Sequence, residues 1–173
     1  MSQAIVNIGL LVPLAIVICY YDVRYRRIPN AFVLAALVGG LALNGIFAGL
    51  PGIATSLGGC ALAFVLMFIL HIFGAMGAGD VKLFGAVGTI LGVSLMPMTL
   101  IVVAMLGGVL AIFTTLRAGT MLTTLHGVMR IFVGILPGWE MPRFAMAPDR
   151  RHTIPYGVAI MVGSLISAAL FRV

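Results

Sequence analysis

The chain has 173 residues and a mass of 18.2 kDa, and 62% of its residues are hydrophobic whereas only 8% are charged. Ordinary globular proteins carry about 25% charged residues, so this composition excludes a water-soluble fold and also excludes disorder. The 10 Lys and Arg residues give a net charge of +6, but they are spread between apolar blocks rather than gathered in one patch. This spread argues against nucleic-acid binding.

Apolar runs long enough to cross a membrane recur along the chain. A helix needs roughly 20 residues to cross about 30 Å of hydrocarbon, and the runs predict an all-α integral membrane protein with six spans in a single domain, 1–173. The predicted spans are Gln3–Tyr21, Ala31–Gly49, Ile53–Phe73, the short Val81–Leu95, Met98–Leu116 and Ile154–Phe171, with a turn at 50–52. The first run has the length of a full span and follows no basic residue, so we expect it to stay uncleaved.

The longest polar connection, Arg117 to Thr153, separates the last two spans. Apolar residues recur in it at helical spacing from Leu122 to Leu136, and the single Trp139 follows them. This pattern predicts an amphipathic helix at the membrane interface, within 118–139. A plain loop is the alternative interpretation.

The basic residues predict the orientation of the spans. By this count of crossings, every Lys and Arg except Arg172 falls on one side of the membrane. Because cytoplasmic loops retain positive charge, we expect the loops 22–30, 74–80 and 117–153 in the cytosol and the N-terminus outside it.

Two of the four acidic residues, Asp22 and Asp80, lie at span boundaries. An ionised carboxylate in a bilayer costs about 2.5–3.5 kcal/mol on insertion scales, so each needs a reason to be there. Two spans separate them, which returns the chain to the same membrane face, and we expect the carboxylates to meet. The two carboxyl groups of such a pair cannot easily be ionised at the same time, so one of them keeps a proton near neutral pH. The pair then offers an acid and a base for water attack on a peptide bond, with no metal or cofactor.

Each aspartate also has a simpler interpretation. Asp80 could be only the N-cap of the next helix, and Asp22 could pair with the arginines at 24–27. The residues before Asp80 favour a catalytic site over a simple helix cap, because Gly77 and Gly79 lack a Cβ and would let an extended substrate backbone approach the carboxylate.

The chain resembles a known protease family at three places. Gly77-Ala78-Gly79-Asp80-Val81-Lys82 resembles the GxGD motif of intramembrane aspartyl proteases, with the lysine typical of prepilin peptidases. Asp22 followed by Ile28-Pro29-Asn30 is similar to the other aspartate motif of that family. Ile154-Pro155-Tyr156-Gly157 resembles the segment that opens its last span. The motifs occur in the order of the family and together cover essentially the whole chain.

The resemblance implies an endopeptidase that removes the basic leader of type IV prepilin-like precursors at the cytosolic membrane face, usually after a glycine. Asp22 and Asp80 would be its catalytic pair, and a membrane-anchored precursor would be its partner. The paired CxxC zinc motifs of the long bifunctional members do not occur in the sequence, so we do not expect N-methylation of the product. The chain is closer to the compact peptidases of tight-adherence pilus systems and to preflagellin peptidases.

Other polar residues give weaker indications. Lys82 could contact the dyad or substrate carbonyls, or could extend to the lipid headgroups. Pro155, Tyr156 and Gly157 could align substrate at the start of the last span, or could only shape its first turn. His71, like the other two histidines, lacks metal-site spacing, and we expect no metal.

Two further classes of function compete with a protease. Intramembrane carboxylates also mark ion paths, so a small proton-coupled transporter is the main alternative. A transporter would place them near the midplane in broken helices, whereas Asp22 and Asp80 are predicted at span ends. A non-enzymatic assembly subunit would use both only as helix caps.

Overall fold

The structure, a computed structural model, describes residues 3–72, 76–119 and 156–171. Its helices are α1, Gln3–Tyr25; α2, Asn30–Ile72; α3, Ala78–Ala118; and α4, Tyr156–Leu170. The first three are long and apolar enough to cross a membrane, and α4 is a shorter apolar helix. Beyond Gly119 the predicted interfacial helix lies outside the described residues, and so does Pro155.

Helix α2 folds back on itself at Gly49, whose backbone is non-helical with φ 62° and ψ −143°. The side-chain amide of Asn44 donates a hydrogen bond of 2.7 Å to the hydroxyl of Ser56. In a straight helix these residues would be about 18 Å apart. Helix α2 is therefore a hairpin with a first arm, 30–48, and a second arm, 50–72. The sequence predicted this turn at 50–52, slightly late, because Pro51 is tolerated in the first turn of the second arm.

Helix α3 has a similar break at Gly92, with φ 74° and ψ 169°. The ring of Tyr156 packs on Gly107 and lies within electrostatic reach of Asp80. In a straight helix Gly107 and Asp80 would be about 40 Å apart. Helix α3 thus also has a first arm, 78–91, and a second arm, 93–118. The sequence predicted this break at 96–97, but Pro97 lies inside the second arm and glycine makes the turn.

The first arm of α3 is the central helix of the bundle. Its side chains Leu83, Phe84, Val87 and Ile90 are fully buried. Gly88 lies against Gly59 of α2 so closely that neither position has room for a Cβ, as small residues allow between membrane helices. The outer helices instead expose large apolar side chains, as lipid-facing surfaces do. Asp80, at the start of this arm, is therefore held in the middle of the bundle.

A buried polar cluster joins the hairpin of α2 to this central helix. The amide of Asn44 and the hydroxyl of Ser56 each donate to the carbonyl of Thr89 at 2.7 Å. The hydroxyl of Thr89 donates to the carbonyls of Ala86 at 2.7 Å and Leu37 at 3.2 Å. These hydrogen bonds join both arms of α2 to the first arm of α3. Each hydrogen bond between membrane helices contributes about 0.6 kcal/mol on average, so the several bonds of the cluster together hold the three arms in place.

Several apolar helices indicate that the protein associates with a membrane. Two hairpins flanked by two single helices are the geometry that six crossings require. The count of six and the side of the membrane on which each loop lies stay predictions.

We expect Gly92→Ala to lower the free energy of unfolding by about 1–3 kcal/mol, because its φ and ψ lie in a region that is essentially restricted to glycine. A Cβ there would lie 3.7 Å from the Cβ of Thr55, an ordinary contact, so the cost is conformational. The measurement is the midpoint of thermal unfolding in detergent micelles. Gly108→Ala is the control, since a Cβ at this helical position would meet nothing within 4 Å. Equal midpoints for the two variants would contradict a turn at Gly92.

Candidate active site

Asp22 lies inside the last turn of α1 rather than in the following loop, and only 6% of its surface is exposed. Its Oδ2 accepts a hydrogen bond of 3.2 Å from the backbone N–H of Val158, in the first turn of α4. The N–H of Gly157 also faces the carboxylate, and Arg26 is close enough to act on it electrostatically. The free N–H groups at the start of α4 thus bind this carboxylate as helix N-termini bind anions.

Gly157 lets α4 come this close to α1. A Cβ at position 157 would lie 2.8 Å from Oδ2 and 3.0 Å from Cγ of Asp22. No side chain fits there without displacing the carboxylate, so glycine is a condition for the hydrogen bond to Val158.

Asp80 lies in the first turn of α3, but it is not the N-cap of that helix. Gly77 holds the N-cap position, and its carbonyl accepts hydrogen bonds from the N–H of Asp80 at 3.1 Å and of Val81 at 3.3 Å. The interpretation of Asp80 as a simple cap is therefore wrong. Its half-buried carboxyl instead lies near the N–H of Gly77 and near Asp22.

The two carboxylates lie at the same end of the bundle. They are close enough for the charge of Asp22 to act directly on Asp80. Tyr156, at the start of α4, is half-buried and lies within electrostatic reach of Asp80. The structure thus brings together Asp22, Asp80, Tyr156 and Gly157 from three helices.

The residues before Asp80 form the open side of this site. Gly77, Ala78 and Gly79 are all exposed. A Cβ at Gly79 would lie 3.9 Å from the nearest atoms of Ile28, so the protein itself leaves room above this glycine. An extended chain could therefore reach the carboxylates along the Gly77–Gly79 backbone.

Lys82 lies away from this group of residues. It is exposed and lines a groove together with Asn30 of α2, whereas Asp80 faces α1 and α4. Two positions along a helix turn the side chain by about 200°. The substrate contact predicted for Lys82 stays a prediction, and Pro155 cannot be placed because it lies outside the described residues.

Two contributions to the site went unrecognised in the sequence. The Nδ1–H of His71, at the end of α2, donates a hydrogen bond of 2.8 Å to the carbonyl of buried Met76, which positions the chain just before Gly77. The N–H of Val158 is the second. The sequence could have indicated His71, because this residue lies near the end of a predicted span. A backbone N–H such as that of Val158 gives no signal in the sequence.

The chemistry available here is that of two carboxyl groups. Within the described ranges, no group of three or more His, Cys, Asp and Glu side chains is placed to bind a metal ion. A pair that shares one proton can both accept and donate a proton during attack on a carbonyl.

Comparison with known families agrees with this arrangement. A family model described as type IV leader peptidase matches residues 9–112. The chain belongs to the type IV leader peptidase family. The match includes both Asp22 and Asp80 and ends before α4. Among curated proteins and among solved structures no match was found.

Membership in the type IV leader peptidase family implies that the protein is a protease. It gives no support to the transporter or to the non-enzymatic subunit considered from the sequence. The family also implies a membrane-anchored precursor of the prepilin type as the class of substrate.

We expect Gly157→Ala to lower the free energy of unfolding by about 1–3 kcal/mol, because the new Cβ would overlap the carboxylate of Asp22. In an Asp22→Ala background the same substitution should cost less, since most of the overlapping atoms are gone. The measurement is a double-mutant cycle of thermal unfolding in micelles. Gly9→Ala, where a Cβ would meet nothing within 4 Å, is the matched control. The same cost with and without the carboxylate would show that α4 does not rest on Asp22.

Proposed function

We propose that this protein is an aspartyl endopeptidase that removes the leader of type IV prepilin-like precursors at the cytosolic face of the membrane. Asp22 and Asp80 are its catalytic pair in this proposal. The family supports a leader-peptidase-like protease, and the proposal adds to it the aspartyl chemistry of this pair.

One observation carries the proposal. Two carboxyl groups from different helices interact electrostatically at one end of the bundle, beside an exposed stretch of backbone around Gly79. Carboxylates are expensive near lipid, so an unneeded pair would be a large cost to the fold. A proteolytic role gives both of them a function.

The hydrogen bonds favour Asp22 as the ionised member and Asp80 as the protonated one. Asp22 faces two N–H groups at the start of α4 and also Arg26, all of which stabilise a negative charge. Asp80 faces the N–H of Gly77 and the charge of Asp22 itself. A proton on Asp80 removes the repulsion within the pair.

The reaction then needs no covalent intermediate. Asp22 takes a proton from water as the water oxygen bonds to the scissile carbonyl carbon, and Asp80 gives its proton to the carbonyl oxygen. The resulting gem-diol collapses when Asp22 returns its proton to the amide nitrogen and the C–N bond breaks. Asp80 recovers a proton from a diol hydroxyl, which leaves a carboxylic acid, an amine and the pair in its starting state.

The position of the pair suits a substrate anchored in the membrane. A precursor with an apolar helix would lie beside the bundle and would present the junction with its leader at the helix ends. Gly77 and Gly79 would let its extended backbone approach, and Tyr156 and Gly157 would border it on the side of α4. Placement of this end at the cytosolic face follows the distribution of Lys and Arg.

The decisive test uses Asp22→Asn and Asp80→Asn. Each change keeps the shape of the side chain but removes its proton transfer, so we expect each to lower cleavage by about 100-fold or more. The double variant should be little worse than either single one, because the pair acts as a unit. The measurement is the mass of a prepilin-like precursor after incubation with purified enzyme in micelles.

Asp149→Asn is the matched control, since it changes an acidic residue in the long polar connection. It should cleave as the unchanged protein does, and all variants should keep their thermal midpoints within a few degrees. Cleavage retained by a folded variant at position 22 or 80 would refute the catalytic pair.

Gly79→Ala tests the approach of the substrate. The new methyl group would make only ordinary contact with Ile28, so the fold should be unchanged. It would project from the exposed backbone beside Asp80, and we expect kcat/KM for leader cleavage to fall by about 10- to 100-fold. Gly108→Ala serves as the control, and equal cleavage by both variants would mean that substrate does not pass over Gly79.

A further inference from the structure

A groove lies on the side of α3 that faces away from the two carboxylates. Its volume is about 450 Å³, within the range of roughly 300–1,000 Å³ that is usual for ligand pockets. The two arms of α2 and the first arm of α3 line it, and its apolar wall includes Leu34, Leu37, Phe64 and Ala86. Nothing in the proposed proteolysis uses this space.

The groove is separate from the proposed active site. Lys82 lines it, whereas Asp80, two positions earlier, faces α1 and α4. The first arm of α3, buried over residues 83–91, stands between them. A peptide in the groove would have to cross this helix to reach the carboxylates, so the occupant is not the bond that is cut.

The polar groups of the groove are concentrated at one end. Asn30 is the first residue of α2, and Lys82 is the fifth residue of α3. Leu37 lies about 10 Å further along the first arm of α2, which is the depth of several methylene groups. The groove thus has a cationic end at the level of the helix ends and an apolar length that runs into the bundle.

The charge at this end lacks a partner in the protein's described part. Lys82 is exposed, and no residue of the described ranges forms an ion pair with it. Beside it, the amide of Asn30 and the first N–H groups of α2 add hydrogen-bond donors that favour a negative group. A basic leader would be repelled here, and a purely apolar helix would leave the charge unpaired.

We propose that the groove binds one anionic phospholipid. Its phosphate contacts Lys82, Asn30 and the start of α2, and one acyl chain lies along Leu34, Leu37 and Phe64. This occupant satisfies the cation and the apolar wall together. The lipid joins the start of α2 to the start of α3, the helix that carries Asp80.

The test is native mass spectrometry of the full chain in micelles titrated with dioleoylphosphatidylglycerol or dioleoylphosphatidylcholine. We expect one tightly bound phosphatidylglycerol, held about fivefold more tightly than phosphatidylcholine, which is the effect of one lysine near a membrane surface. sn-Glycerol 3-phosphate, which has the charge but no acyl chain, should not displace it. Displacement at comparable concentration would reduce the groove to a simple anion site and overturn the proposal.

Two pairs of variants locate the lipid. Lys82→Gln should remove the preference for phosphatidylglycerol, whereas Arg24→Gln, which deletes another exposed cation, should keep it. Ala31→Trp, at the exposed rim of the groove, should abolish tight binding of both lipids. Ala35→Trp, exposed one turn further and outside the lining, should bind as the unchanged protein does.

Several results would overturn the proposal. Equal binding of the two lipids by the unchanged protein would remove the role of charge. Unchanged phosphatidylglycerol binding in both Lys82→Gln and Ala31→Trp would place the lipid elsewhere. Loss of leader cleavage in Ala31→Trp with lipid binding intact would make the groove a peptide site. None of the lipid measurements depends on proteolysis, so a failure of either proposal can be told from a failure of the other.

Discussion

A buried carboxylate at the end of an apolar helix needs hydrogen-bond donors, and Asp22 finds them at the start of α4. This contact spans 136 residues of sequence and joins the first helix to the last. It depends on Gly157, because any side chain there would displace the carboxylate. The arrangement of helix ends around the proposed active site follows from this hydrogen bond, since it sets how closely α4 approaches α1.

The central position of α3 in the bundle determines which groups surround the second carboxylate, that of Asp80. Residues 83–91 of its first arm are buried among the other helices, which makes the direction of Asp80 a property of the whole bundle rather than of a loop. The polar cluster around Asn44 and Thr89 anchors this arm from the far end, and the bond from His71 to Met76 fixes the chain at the near end. A site on such rigid elements keeps two groups in register far better than loops would.

Much of this arrangement could be predicted from the sequence. The apolar runs gave the helices, and the even number of crossings between Asp22 and Asp80 predicted that the two would share a face. The turns were placed a few residues late, because Gly49 and Gly92 look like packing glycines in a chain with 22 glycines, and only their positive φ sets them apart. The N–H of Val158 and the groove beside Lys82 are products of tertiary packing, which no local pattern encodes.

The two hairpins give the bundle very unequal ends. Opposite the carboxylates, each reversal of α2 and α3 is centred on one glycine, Gly49 or Gly92, with no intervening loop. The described parts of two other connections, residues 26–29 and 76–77, lie at the carboxylate end. Each reversal therefore depends on the backbone of a single glycine, so two residues at the opposite end set how the helix arms that lead to the carboxylates are paired.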